Sequence, residues 1–303
     1  MRFTIFQDSH RGGRKVNQDR LAYSYSKDVL LIVIADGMGG HARGEIAAEI
    51  AVNTITNRFQ QEARVPLKKP LEFLNASFNA AHRAILAFAD QHEMLECPRT
   101  TCVACVIQGE KAWWAHSGDS RFYIFRRGKL AASTIDHSRV QQLIDAGMIT
   151  PAMAATHPDR NKIYNCLGGV LHPEVTLSEE WDLEIGDTLL LSTDGFWAQI
   201  PSAQIAARLQ SENILTLMPA LLVEAERRAG SDSDNLSLVG ITWEKQDEQE
   251  ITTQNGTSTV PMDGFHTHTN MGQGDSAPPE EVSDEEIERA IAEIQNAIKK
   301  VTK

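Results

Sequence analysis

The chain has 303 residues, a formal net charge of −12, and 42% apolar and 23% charged residues. Such values suit a soluble globular protein with one large core or two small ones. The negative balance argues against a broad nucleic-acid surface and against an anionic membrane surface. It does suit a protein that gathers carboxylates around cations. No apolar stretch approaches the ~20 residues of a membrane span. The first residues, Met1-Arg2-Phe3-Thr4-Ile5-Phe6, are too short and too polar for a signal peptide. Four cysteines (Cys97, Cys102, Cys105, Cys166) fall short of a disulfide scaffold. A reducing, cytoplasmic location is the expectation.

In chain order, residues 2–8 and 21–26 read as strands, separated by a polar turn with two glycines, Gly12 and Gly13. Residues 29–35, Val-Leu-Leu-Ile-Val-Ile-Ala, form an apolar run rich in β-branched residues, the pattern of a strand buried on both faces. Directly after it comes Asp36-Gly37-Met38-Gly39-Gly40-His41. This reads as a strand delivering one carboxylate to a tight turn whose bare backbone a ligand could approach. Alone it could equally be an acidic helix cap, since Asp-Gly is a common turn. Helices are predicted over 44–62 and 71–91, with Ile46, Ile50, Ile55 and Phe59 on one face of the first and Leu74, Phe78, Ala81, Ile85 and Phe88 on one face of the second.

Strands follow at 101–108, 112–117, 121–126 and 129–134, joined by short hairpins. Cys102 and Cys105 lie in the first of these. Residues three apart on a strand face opposite sides, so the pair reads as core cysteine and not as a metal site. A short helix at 140–146 is capped by Asp136-His137-Ser138, and a looser stretch runs from there through Pro173. Strands at 175–183 and 188–192, helices at 202–210 and 215–228, and a strand at 236–244 complete the globular part. Strands and helices occur in separate runs, which predicts antiparallel sheets covered by helices and not an alternating parallel sheet.

Composition changes near Lys245. Residues 245–281 read as a flexible acidic linker, with His266 and His268 in it. From Ser283 a helix is expected over 282–303, opened by the Ser283/Glu286 capping pattern. Ile287, Ile291, Ile294, Ile298 and Val301 repeat at heptad spacing, a seam suited to self-association or to a partner helix. Residues 245–303 hold 12 acids against 5 bases, so the globular part is close to neutral.

Five aspartates sit at strand ends or in the turns beside them: Asp19, Asp36, Asp119, Asp194 and Asp234. Any one could be a turn residue. Five carboxylates converging without a matching set of Lys or Arg would repel strongly, and hard divalent cations such as Mg²⁺ or Mn²⁺ resolve this. No His or Cys cluster has zinc-like spacing. Two such ions about 3.5–4 Å apart polarise a bridging water and clamp an oxyanion. Arg14, five residues before Asp19, carries the planar fork that binds phosphate bidentately. Together these groups suggest phosphate ester hydrolysis.

At this point the sequence resembles the metal-dependent (type 2C, PPM) protein serine/threonine phosphatases in their compact bacterial form. The matching pieces are Arg14-Lys-Val-Asn-Gln-Asp19; Asp36-Gly-Met-Gly-Gly-His41 with Gly44; Thr100-Thr101; Gly118-Asp-Ser-Arg121; Asp136-His-Ser138; Ser192-Thr-Asp-Gly195; and Asp234-Asn235. They occur in the family order and cover residues 1–244. The resemblance implies an α+β fold, an α-β-β-α sandwich of two antiparallel sheets flanked by helix pairs. It implies that Asp36 bridges two metals, that Asp194 and Asp234 complete the first site, and that Asp19 and the Gly37 carbonyl complete the second. Asp119 with Asp194 resembles a third, weaker site. Arg14 resembles the substrate phosphate clamp, and residues 138–169 resemble a mobile flap beside the cleft.

By the same resemblance the cofactors are two Mn²⁺ or Mg²⁺ ions, and the substrates are phosphoproteins marked by an opposing bacterial kinase. A metal-bridged hydroxide would attack phosphorus in line. Two departures stand out. Met38 occupies a position where many eukaryotic relatives carry a histidine proposed as general acid, leaving His41 either a proton donor or a structural residue. Arg99 stands where glycine is commoner, at the cleft or simply on the surface. A two-metal hydrolase of small phosphoesters and a non-catalytic scaffold are the competing readings; retention of all five aspartates weighs against the scaffold.

Overall fold

The computed structural model describes residues 1–39, 43–63, 66–244 and 265–270. Three strands open the chain: β1 (Phe3–His10), β2 (Asp19–Tyr25) and β3 (Val29–Met38). Two long helices follow, α1 (Gly44–Glu62) and α2 (Pro70–Gln91). Next come β4 (Arg99–Thr100), β5 (Cys102–Gln108), β6 (Lys111–Ser117), β7 (Arg121–Arg126) and β8 (Lys129–Ser133). Short helices α3 (Arg139–Asp145) and α4 (Pro151–Ala154) lie in the looser stretch. Then β9 (Thr176–Leu177), β10 (Trp181–Asp182), β11 (Thr188–Ser192), α5 (Asp194–Trp197), α6 (Ser202–Arg208), α7 (Ile214–Ala229) and β12 (Leu236–Trp243) complete the globular part. One further strand, β13 (His266–Asn270), lies beyond it.

The strands form two antiparallel sheets. One has the order β1-β12-β11-β7-β8; the other runs β10-β6-β5-β3-β2-β13, with β4 added to β3 and β9 to β6. The period-2 geometry of β3 explains the layering. Leu30, Ile32 and Ile34 enter a core between the sheets with Leu21, Val103, Phe122, Leu191 and Val239. Val29, Leu31, Val33 and Ala35 point the other way, into a core with Ala48, Val52, Ile55, Phe59 and Phe78 of α1 and α2. A third core seats α7, through Leu217, Met218, Leu221 and Leu222, on Tyr123, Leu190 and Leu238. The result is the expected α-β-β-α sandwich. Each fully buried aliphatic side chain in these layers contributes about 1.5–3 kcal/mol. Cys102 belongs to the helix-side core and Cys105 to the inter-sheet core, on opposite faces as their spacing requires.

Three local expectations change. Residue 175–183 was expected as one strand; the structure has two two-residue strands, β9 and β10, both paired to β6. The intervening Ser178-Glu179-Glu180 is polar and gains little from a buried ladder. The chain after Asp36 does not turn at once either. It stays extended to Met38 because β4 supplies a partner, with Gly37 opposite Thr100 and Met38 opposite Arg99. Lastly, five residues of the expected 245–281 linker form β13, which pairs with β2 from His266–Tyr25 to Asn270–Leu21.

A His-Thr-His-Thr alternation carries no apolar signal, yet its contacts are specific. The Thr267 hydroxyl meets Ser24 at 2.7 Å and accepts from Gln60 Nε2 at 2.6 Å. His268 stacks on Tyr23 and His266 leans on Tyr25. Phe265 packs edge-on against Phe59. The pairing also covers the backbone edge that β2 would otherwise expose. Met1–Gly272 forms one compact unit. The expected helix at 282–303 with its Ile287–Val301 seam lies outside the described residues, as does His41.

The end of β3 and the start of α1 touch through bare backbone. A Cβ on Gly44 would lie 2.5 Å from the Gly37 carbonyl carbon, and a Cβ on Gly37 would lie 2.3 Å from the Gly44 oxygen. Neither neighbour is a flexible side chain that could step aside. Gly44→Ala is therefore expected to cost about 1–3 kcal/mol and to lower Tm by several degrees. Gly169→Ala, whose Cβ would meet nothing nearer than 3.7 Å, is the control and should leave Tm almost unchanged. Equal melting curves for the two variants would show that the close approach carries no weight.

Candidate active site

Antiparallel pairing of β2 and β3 puts Asp19 directly opposite Asp36, a position where side chains approach to about 4.5–5.5 Å between Cβ atoms. Asp194 arrives at the first turn of α5, at the end of β11. Asp234 comes from the loop before β12, which is bonded to both β1 and β11. Asp119 follows β6. Neighbouring strands of both sheets thus end at one cleft, and four acids from separate parts of the chain surround Asp36.

Their electrostatics show the crowding. Asp19 is buried, and burial pushes its carboxyl up to about 7, helped by the charges of Asp194 and Asp234 against the lowering effect of two hydroxyl donors. Asp36 is raised well above the usual carboxylate range by desolvation and then by Asp19, Asp194, Asp119 and Asp234. Asp194 is raised to about 6 by burial and Asp234; the Gly195 N–H, a hydrogen bond with Asp36 and the Arg14 charge work in the opposite direction. Asp119 is raised by burial and by Asp194.

A frame of hydroxyls and amides fixes these acids. Asp19 Oδ2 accepts from Thr193 Oγ1 at 2.9 Å and from Ser237 Oγ at 2.6 Å. Its other oxygen, Oδ1, is buried with no partner. The Asp19 N–H donates to Asn17 Oδ1 at 3.0 Å, and the Gln18 N–H to Asn235 Oδ1 at 2.8 Å. Asn235 Nδ2 also holds the Arg11 and Val16 carbonyls. The Asp36 carbonyl accepts from the Thr100 hydroxyl at 2.8 Å and the Thr101 N–H at 2.9 Å. A Cβ on Gly195 would lie 2.1 Å from the Asn235 carbonyl oxygen, so the bare backbone after Asp194 lets the loop carrying Asp234 close onto it.

Asp119 is held from outside the cluster. Its carbonyl accepts from Trp197 Nε1 at 3.0 Å. Arg121 covers the Trp197 ring at 3.5 Å and makes a two-pronged contact with Asp136 at 2.8 and 2.7 Å. His137 adds a second tie: its N–H donates to the Gly118 carbonyl, and its Nδ1 accepts from the Gly118 N–H at 3.2 Å.

Arg14 reaches the same cleft but is engaged. Its Nε and Nη2 donate to the two oxygens of Asp234 at 2.8 and 2.7 Å. The fork predicted for phosphate is thus laid against a carboxylate predicted for metal. Among the described residues, no three Asp, Glu, His or Cys side chains close around one point. The donor set still fits a hard cation. The Asp19 Oδ1 orphan opposite Asp36 is a buried, unsatisfied carboxylate oxygen, and a divalent ion would satisfy it and relieve the crowding. Of the sequence candidates, Asp19, Asp119, Asp194, Asp234 and Arg14 are each within electrostatic reach of Asp36. Gly37 lies on β3 next to Asp36.

Ser237 was not anticipated as a site residue. Its only signal in the sequence is a polar residue at an inward position of an otherwise apolar strand, two places after Asn235. Thr193, Asn17 and Asn235 were visible as neighbours of acids, but not as the groups that orient them.

Comparisons with known proteins agree with this fold. The family model described as protein phosphatase 2C matches residues 6–220. The serine/threonine protein phosphatase PstP of Mycobacterium tuberculosis is 33% identical over 226 residues, which make up 74% of this chain; the chain spans only 42% of PstP's length. The structure of the Streptococcus agalactiae serine/threonine phosphatase superposes with a TM-score of 0.72 at 31% identity, covering 80% of this chain and all of that one. The PstP catalytic domain in complex with two manganese ions superposes with a TM-score of 0.65 at 30% identity, covering 79% of this chain and 98% of that one. Among the described residues, no helix is long and apolar enough to cross a membrane. Fold, order of the acidic loops and matched family model lead to one assignment: this chain belongs to the protein phosphatase 2C family.

Proposed function

We propose that this chain hydrolyses phosphoserine and phosphothreonine esters on proteins, reversing a bacterial serine/threonine kinase. The observation that carries the reading is the buried, unpartnered Asp19 Oδ1 opposite Asp36, within a carboxylate cluster that Arg14 borders. Asp36, Asp194 and Asp234 would hold one divalent ion. Asp36, Asp19 and the Gly37 carbonyl would hold a second, and Asp119 with Asp194 a third, weaker one. Mn²⁺ or Mg²⁺ suits this oxygen-only set. When bound, such ions supply Lewis-acid activation of the attacking water and neutralise charge on the phosphoryl oxygens.

The chain's own residues supply the rest. Arg14 offers a planar pair of donors, and a phosphate presents them with the same geometry as the Asp234 carboxylate. Asp234 is therefore both a candidate ligand and the group that keeps Arg14 in place. Thr193 and Ser237 fix the rotamer of Asp19, so its free oxygen points one way. Met38 carries no titratable proton, so the leaving serine oxygen must take its proton from another donor. Cys97, Cys102, Cys105 and Cys166 are all free thiols, which supports a reducing cytoplasm as the place of action. Self-association through residues 287–301 is part of the proposal only as a function of that segment's heptad sequence.

Asp36→Asn and Asp194→Asn should each abolish turnover of a phosphoserine peptide with Mn²⁺ while the circular dichroism spectrum stays that of the parent. Retained turnover in both, in metal-stripped buffer, overturns the reading. Turnover of nucleotides or p-nitrophenyl phosphate without any turnover of phosphopeptides would instead favour the small-phosphoester alternative. Arg14→Ala should raise KM for the phosphopeptide by about tenfold or more through loss of a charge-assisted pair; steady-state kinetics at saturating Mn²⁺ read it directly.

The acid cluster also sets a pH dependence. The carboxyls of Asp19 and Asp194 sit at about 7 and about 6 in the folded protein, above their ordinary value of 3.8. Between roughly pH 4 and pH 7 the metal-free folded state holds more protons than the unfolded state, so its stability falls as pH rises. Differential scanning fluorimetry in EDTA should show Tm dropping from about pH 5 to about pH 7.5. The stabilisation by Mn²⁺ should be larger at the higher pH, where the ligands no longer compete with protons. A flat or rising profile in EDTA would contradict the assignment of these two carboxyls.

A further inference from the structure

A groove of about 880 Å³ opens directly beside the acid cluster. Its near wall is Met38 and Gly39, the chain that continues from Asp36. It is also lined by Tyr164, in the 138–169 stretch, and by Val170 and Leu171 just after it. Val170 is 92% exposed and Leu171 81%, so two aliphatic side chains stand open to water next to a catalytic cleft. Clustered exposed apolar groups at such a place mark a binding surface.

Arg99 lines the same groove. Backbone pairing fixes its position: it sits opposite Met38 on β4, while Thr100 exchanges hydrogen bonds with Leu167 at 3.1 and 2.9 Å. Arg99 is therefore placed by its pairing with the strand that carries Asp36 and by the bonds of its neighbour Thr100 to Leu167. Its side chain is exposed. Among the described residues it makes no ion pair, whereas Arg14, Arg121 and Arg126 each hold a carboxylate. Met38 lies two residues past Asp36, which is about 7 Å along a strand. Consecutive Cα atoms of a peptide are 3.8 Å apart. A phosphoserine whose phosphate sits at Asp36 thus brings the residue one or two places away within reach of Arg99.

We propose that this groove takes the segment of the substrate protein beside the phosphoserine, and that Arg99 selects substrates with an aspartate or glutamate within two residues of it. The proposal rests on the protein-phosphatase reading above. The exposed Val170 and Leu171 accept the apolar part of the same segment. Glu96 and Glu174 also line the groove, so its charge is mixed, and an acidic residue gains only where it meets Arg99 itself. Glycine at position 99 would offer no charge here, which makes the preference a property of this chain and not of the reaction.

The test compares phosphoserine peptides that differ at one position. Glutamate or glutamine is placed one or two residues from the phosphoserine, on either side, and in a further pair five residues away. The kcat/KM ratio of the glutamate to the glutamine peptide is read at low salt with Mn²⁺. For the parent protein the ratio should be about three- to fivefold at the near position, the range of an exposed ion pair, and close to one at the far position. It should fall towards one as salt rises. Arg99→Lys should keep part of the preference, Arg99→Ala should bring the near ratio to about one, and Arg99→Glu should bring it below one. A parent ratio near one, or a ratio unchanged in Arg99→Glu, overturns the proposal while leaving the phosphatase reading intact. Failure of the parent to hydrolyse any of the peptides, with p-nitrophenyl phosphate still turned over, overturns both.

Discussion

Asp19 and Asp36 face each other across β2 and β3, held by the backbone against their own repulsion. Two ionised carboxylates at such a separation would cost about 3–4 kcal/mol at the effective dielectric of a partly buried site, and Asp194 and Asp234 add to it. Two features of the structure bear on this repulsion. Burial and mutual repulsion push the carboxyls up until part of the cluster carries protons. Arg14 meanwhile takes up the charge of Asp234. Protons and Arg14 thus answer one electrostatic problem, which divalent ions would also answer, and the rest of the fold keeps the problem in place.

That scaffold is built from small groups. Bare backbone at Gly37 and Gly44 lets α1 press against the end of β3, and Gly195 lets the Asp234 loop close on α5. Hydroxyls and amides then fix individual oxygens: Thr193 and Ser237 take one oxygen of Asp19 and leave the other unpartnered. None of these groups carries charge, so they orient the acids without neutralising them. Arg121 and Trp197 perform a parallel task at the margin, where they hold the backbone of Asp119. The short strand β4 connects this centre to the neighbouring groove, because Thr100 bonds the Asp36 carbonyl on one side and Leu167 on the other.

The two layers of the sandwich and the acids of the site were legible in the sequence for a common reason. A strand buried on both faces must be apolar throughout, so residues 29–35 announced themselves, and a charge at the end of such a strand is conspicuous. Helix α2 was equally plain from its apolar stripe, with Leu74, Phe78, Ala81 and Ile85 buried. Helix α1 was legible as a helix, but its buried face is Ala47, Ala48, Ala51, Val52, Ile55 and Phe59. The expected Ile46 and Ile50 are only partly buried, because small alanines let the helix lie close to the sheet. β13 was not legible, because its side chains alternate between histidine and threonine and its stability comes from Tyr23, Tyr25 and Gln60 elsewhere in the chain. Nor was the break between β9 and β10, where the pairing partner β6 decides which residues join the ladder.

By itself the sequence determined which residues could carry charge to strand ends, which strand would be buried on both faces, and that carboxylates and one guanidinium, not histidine or thiol, were the candidates to meet at the site. These follow from side-chain chemistry and local periodicity. Only the tertiary structure decided the pairing of those charges. Asp19 lies opposite Asp36 because β2 and β3 adopt one register out of several. Arg14 grips Asp234, 220 residues away, because β1 and β12 lie side by side, and Arg99 meets the groove because β4 pairs with the end of β3. Contacts of this kind depend on which strands become neighbours, and no local pattern records it.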